Sequence, residues 1–129
     1  MGLDISISGE KVTAYVVIGE ESLLFLSEVM ETSNIYQALK NAEWFAEPSA
    51  DARCRVIDHT VNEEINRING VQTLRCERPG KLKSIEVDLY KVIPELKAVD
   101  VWLTSQRWQK KTTVYPDNPK VVIRSGMLR

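Results

Sequence analysis

Residues 2–30 read GLDISISGE, KVTAYVVIGE, ESLLFLSEVM, and the fold turns on how this stretch is parsed. Three apolar runs, Leu3 to Ile7, Val12 to Ile18 and Leu23 to Met30, are separated by Ser8-Gly9-Glu10 and Gly19-Glu20-Glu21. Glycine with polar neighbours suits a tight connection, and the runs are rich in β-branched residues. The stretch therefore predicts a three-stranded antiparallel meander. In the first strand Leu3, Ile5 and Ile7 alternate with Asp4, Ser6 and Ser8. Asp4 thus lies on the face opposite the aliphatic residues, or inside the fold if both faces are covered.

Working outward, Thr32-Ser33-Asn34 offers a helix N-cap. Ile35, Ala38, Leu39, Ala42 and Phe45 then recur at helical spacing before Pro48, predicting a helix over residues 34–46. Ala52 to Asp58 predicts a short strand ending in a carboxylate. A polar helix capped by Thr60 and carrying Ile65 and Ile68 follows, stopping at Asn69-Gly70, and Val71 to Cys76 returns to strand. Ile85, Leu89, Val92 and Leu96 fit a helix, whereas Ile85, Val87 and Leu89 also fit a strand and Pro94 disfavours a helix interior; the helix is preferred. Val99, Val101 and Leu103 alternate as a strand. Beyond Lys110 two short extended segments flank the turn Pro116-Asp117-Asn118-Pro119. The predicted order is β-β-β-α-β-α-β-(α)-β with an extended C-terminal tail, a mixed α/β architecture.

The 129 residues, 43% hydrophobic and 27% charged, suit one domain over residues 1–129 with one core, and no apolar run approaches the length of a membrane span. The first residues lack a basic head and a long apolar stretch, which predicts a cytoplasmic location. Cys54 and Cys76, 22 residues apart with no second Cys or His near either, do not make a zinc-type spacing and read as small core hydrophobes. A single histidine, His59, is too few for a histidine cluster, and the chain has neither a glycine-rich phosphate loop nor a nucleophile elbow. Charge is uneven: residues 1–70 hold 12 Asp/Glu against 5 Lys/Arg, and residues 71–129 hold 6 against 12. Such a dipole suits an acidic metal-holding half beside a basic half that follows a phosphate backbone. It equally suits two solvated faces that attract each other in the fold.

Gly2-Leu3-Asp4, Ala14-Tyr15-Val16-Val17, Leu24 to Glu28 and Val56-Ile57-Asp58, followed by Ile65 to Val71, Lys83-Ser84-Ile85 and Val99-Asp100-Val101, resemble in order and apolar patterning the ribonuclease H-like nuclease domain of phage large terminase subunits. The likeness covers about residues 2–104, leaving 105–129 as a basic tail. It implies phosphodiester hydrolysis by Mg²⁺ or Mn²⁺ bridged between carboxylates, the ions neutralising developing charge and activating water. Asp4 and Asp58 would be catalytic metal ligands and Glu28 a lesser member, with DNA as substrate. Each also has a plain reading: Asp4 as a solvated strand residue, Asp58 as a helix cap, Glu28 as an exposed strand position. The third ligand that such nucleases take from a C-terminal helix has no counterpart after Leu103. His59 begins the turn after Asp58.

In the last quarter Trp102, Arg107, Trp108, Lys110 and Lys111 combine basic and aromatic groups that can track a nucleic acid and stack on its bases. Read plainly, Trp102 belongs to the core, Trp108 covers its edge, and the lysines protect an exposed strand. The sequence therefore carries two readings. One is a divalent-metal-dependent nuclease, or nuclease-fold nucleic-acid-binding protein. The other is a non-catalytic phage or plasmid accessory protein that contacts a partner through its acidic N-terminal half.

Overall fold

The computed structural model describes residues 1–124. The chain forms β1 (Gly2–Ser8), β2 (Lys11–Ile18), α1 (Glu20–Ser27), α2 (Thr32–Asn41), β3 (Ala46–Pro48), β4 (Cys54–Glu64), β5 (Arg67–Cys76), β6 (Ser84–Val87), α3 (Leu89–Val92), β7 (Val99–Ser105), β8 (Trp108–Val114) and β9 (Lys120–Val122). A six-stranded sheet has the order β4-β5-β2-β1-β7-β8, and a three-stranded sheet the order β3-β6-β9. Every neighbouring pair is antiparallel except β1 with β7. The architecture is mostly β, which corrects the ribonuclease H-like α/β expectation.

Strand alternation creates the core. Leu3, Ile5, Ile7, Val12, Ala14, Val16, Ile18, Val99, Val101 and Leu103 share the covered face of the large sheet. They join Leu26 of α1, Ile35 and Leu39 of α2, and Ile85, Val87 and Val121 of the small sheet in one hydrophobic cluster. The other face of the large sheet stays open, as antiparallel sheets permit. Asp4, Trp102 and Lys111 follow one another across it in register.

Four corrections have identifiable causes. The expected third strand is α1: Leu23, Leu24, Phe25 and Leu26 contain no β-branched residue, and Glu20 and Glu21 in the first turn favour the positive end of a helix. The expected polar helix after Thr60 is instead the long β4–β5 hairpin, closed by Ile65 and Asn66. Gly70, read as part of a helix stop, sits mid-strand because a side chain there would meet the Phe45 ring at 2.9 Å. The segment 84–96 divides into β6 and the single turn α3 before Pro94.

Residues 105–124 supply β8, which extends the large sheet beside β7, and β9, which completes the small one; the rest of the expected tail lies outside the described residues. Cys54 and Cys76 face each other across the β4–β5 register; Cys76 lies in the core and Cys54 packs against it, as expected, and the two are joined by a disulfide that the sequence did not foretell.

Candidate metal centre

The structure does not bring the sequence-predicted ligands together. Asp4 is exposed on β1 and Asp58 exposed on β4, with β2 and β5 between them. Three interstrand spacings separate the two strands by about 14 Å, too far for one shared ion. Asp58 accepts a hydrogen bond from the His59 backbone N–H at 3.0 Å. Glu28 is the exposed C-terminal cap of α1, at neither carboxylate's strand.

The five basic and aromatic residues read as a nucleic-acid surface also divide. Arg107 lies exposed in the β7–β8 turn, and Trp108 is half-buried against the core. Lys110 and Lys111 are consecutive in β8 and so point to opposite faces. Lys111 lies over the Trp102 ring, 4.9 Å from its centre. Trp102 is 43% exposed, so it is Trp108, and not Trp102, that joins the core.

A different set of carboxylates converges on the small sheet. Glu47 of β3 and Glu86 of β6 are direct cross-strand partners. In β6 the buried Ile85 and Val87 alternate with the outward Ser84 and Glu86, and one step beyond the strand the same alternation delivers Asp88. Asp88 precedes α3, and its backbone N–H donates to the Phe45 carbonyl at 3.0 Å, which fixes it beside β3. One ligand oxygen from each of Glu47, Glu86 and Asp88 lies within 4.8 Å of the others.

Asp88 is only 4% exposed, and its Oδ1 is buried without a hydrogen-bond partner. Lys91 reaches over from α3: its Nζ is 3.4 Å from that oxygen, within ion-pair range but outside hydrogen-bond geometry, and 3.7 Å from a Glu86 oxygen. Burial, followed by repulsion from Glu47, pushes the Asp88 carboxyl up to about 6, against the pull of Lys91. Asp88 in turn raises the Lys91 ammonium. Three carboxylates with one exposed ammonium leave excess negative charge, which a divalent cation can neutralise.

The donor set is all oxygen, which suits hard cations and also falls within the ligands zinc accepts. Nitrogen and sulfur ligands are committed elsewhere. His59 donates from Nε2 to the Lys40 carbonyl at 3.0 Å and accepts at Nδ1 from Gln72 Nε2 at 3.0 Å. The cysteines are bonded to each other. Beside the carboxylates runs a groove of about 460 Å³ lined by Trp44, Glu47, Ser49, Arg53, Glu86 and Lys120, among others.

The family model described as ZrgA family zinc uptake protein matches residues 58–123. The chain belongs to this family. No curated protein matches the chain. The matched region includes Glu86, Asp88 and Lys91 but stops short of Glu47. Membership overturns the terminase-like nuclease reading and, with it, DNA as the partner and the phage or plasmid accessory role: the family is one of metal uptake. Of the expected Mg²⁺ or Mn²⁺, what stands is the coarser statement, a divalent metal.

Sequence reading missed all three converging carboxylates. The available signal was the alternation Ser84-Ile85-Glu86-Val87-Asp88, which was open to a strand as well as to the preferred helix.

Proposed function

We propose that this ZrgA-family chain binds Zn²⁺ as cargo, reversibly, through Glu47, Glu86 and Asp88. The observation that carries the reading is the Asp88 Oδ1, buried without a hydrogen bond between two further carboxylates. Its only charged partner is the solvent-exposed Lys91 ammonium, and a buried carboxylate oxygen that lacks a hydrogen bond is costly unless a further cation completes it. Lys91 acts as the placeholder: its exposed ammonium balances part of the charge in the metal-free chain, and it yields the Asp88 oxygen to the entering ion while staying beside Glu86. Three oxygen ligands without imidazole or thiolate hold zinc weakly enough for release, which suits uptake better than storage.

The disulfide argues for work in an oxidising compartment, in place of the cytoplasm expected from the sequence, because such bonds are rare where thiols are kept reduced.

The test is a titration of the full chain with Zn²⁺ against a chromogenic zinc indicator, repeated with Mg²⁺ and Mn²⁺. One zinc ion per chain should bind, and Asp88→Asn should weaken binding at least about tenfold, about 1.4 kcal/mol. Equal affinity for all three ions would make the site a general divalent site. Unchanged zinc binding in Asp88→Asn would remove the site altogether.

A further inference from the structure

Beside the carboxylates lies a groove that the zinc site alone does not use. Its wall carries Glu47 and Glu86, and it also holds Arg53, Lys120 and the Trp44 side chain. Resting on the zinc reading above, we infer that this groove binds a small anionic carboxylate, of amino-acid or hydroxycarboxylate type, which completes the coordination of the ion so that metal and ligand bind together.

Three properties of the groove support a co-ligand. The first is coordination. A zinc ion held by three protein groups keeps a position open for a further ligand. Two of the three carboxylates, Glu47 and Glu86, form part of the groove wall, so a ligand held in the groove would lie beside an ion bound there.

The second is charge. A divalent ion together with Lys91 neutralises the three carboxylates, and Arg53 and Lys120 then remain as surplus cations. Lys120 stands opposite Glu86 in the β6–β9 register, yet among the described residues it lies in no ion pair. Arg53 is only 3.9 Å from Glu77 at an exposed position, a weak pairing in water. Two cations beside a filled metal site complement an anion of one or two charges.

The third is the backbone. Arg53 has φ 51° and ψ 61°, the left-handed conformation that favours glycine. An L residue other than glycine is strained there, and such outliers cluster where a side chain has work to do. The adjoining Cys54–Cys76 disulfide anchors the segment that carries this strain. The volume, about 460 Å³, falls within the range of small-molecule sites and exceeds the space of a few waters.

The experiment is equilibrium dialysis of the full chain with ¹⁴C-labelled citrate or glutamate, with and without Zn²⁺, beside a titration with Zn²⁺ alone. Retention of the label should require Zn²⁺ and saturate at one per chain. Lys120→Ala and Arg53→Gly should each lower retention about tenfold, about 1.4 kcal/mol, while Zn²⁺ binding without carboxylate stays within about twofold. Arg53→Gly places the residue best suited to that backbone, so lost retention would not report misfolding.

If Zn²⁺ alone binds but neither label is retained, or if retention is unchanged in both variants, the co-ligand inference is overturned and the metal site survives. If the label is retained equally without Zn²⁺, the groove is an anion site independent of the metal and the inference again fails. If Zn²⁺ alone does not bind, the metal reading fails and this one falls with it.

Discussion

Glu47 and Glu86 stand directly opposite each other across the β3–β6 pair, two like charges where a sheet ordinarily places complementary ones. Opposed like charges destabilise an antiparallel pair by up to about 1 kcal/mol, so the arrangement is costly to the metal-free fold. A bound cation reverses the sign. Glu47→Gln should therefore stabilise the metal-free chain by about 0.5 kcal/mol and weaken zinc binding about tenfold. Paired thermal melts with and without Zn²⁺ check this; a variant that loses stability in the metal-free state contradicts it.

Asp88 makes the site pH-dependent. Its carboxyl is raised from 3.8 to about 6. The folded chain therefore binds this proton more tightly than the unfolded chain. The resulting contribution to stability is fully present below about pH 4 and is lost as pH rises through about 6. Zinc competes with the same proton, so apparent affinity should fall about tenfold for each pH unit below 6, while above 6 added zinc should restore the stability lost to ionisation. In Asp88→Asn both dependences should flatten between pH 4 and 7. Zinc titrations and melts across that interval decide it; a wild-type affinity constant from pH 5 to 7 would exclude Asp88 as ligand.

Legibility followed local alternation. Leu3, Ile5 and Ile7 in β1, the apolar run of β2, Ile35 and Leu39 in α2, and Val99, Val101 and Leu103 in β7 all have the expected element type. The leucines of α1 form a continuous run with no polar face, so periodicity is silent there. In β4 a bulge between Val56 and Asp58 shifts the register and breaks the alternation that continues at His59 and Val61.

The candidate metal centre is hidden when Ser84 to Leu96 is read as helix. Two residues apart on a helix, Glu86 and Asp88 would diverge by about 200°, whereas along an extended chain they share a face. The pairing of Glu47 with Glu86 joins segments 39 residues apart and has no local signature. Asp4 and Asp58 were each placed on a strand, but β2 and β5 come between those strands, and only long-range pairing determines that.

Gln72 links the large sheet to the candidate metal centre. It is buried in β5, accepts the Phe45 backbone N–H at 2.7 Å, and donates to the Glu43 carbonyl at 3.1 Å and to His59 Nδ1. These bonds fix residues 43–45, the segment that enters β3 and so sets the position of Glu47. Gln72→Leu leaves the Phe45 N–H without a partner and should cost about 1–3 kcal/mol. If the strap positions Glu47, zinc affinity should also fall, about threefold, although Gln72 touches no ligand oxygen; half a kcal/mol corresponds to a shift of about that size. Denaturant unfolding and zinc titration of the same preparation separate the two effects. Stability loss with unchanged affinity would leave Gln72 a purely structural residue.

The Cys54–Cys76 disulfide closes the open end of the β4–β5 hairpin, at the opposite end from Ile65 and Asn66. The closed loop spans 22 residues, and restricting it in the unfolded chain is worth about 3 kcal/mol on a chain-entropy account. Cys54 also lines the groove beside Arg53, so the bond anchors one groove wall as well as the hairpin. Cys54→Ser together with Cys76→Ser, or reduction of the wild type, should lower unfolding free energy by about that amount. Ligand oxygens on β3, β6 and Asp88 lie outside the closed loop, so zinc affinity measured well below the melting temperature should change less than about twofold. Denaturant melts with and without reductant, each paired with a zinc titration, check both parts. A loss of zinc binding that parallels reduction would mean that the disulfide, by holding the groove wall, sets the geometry of the three carboxylates.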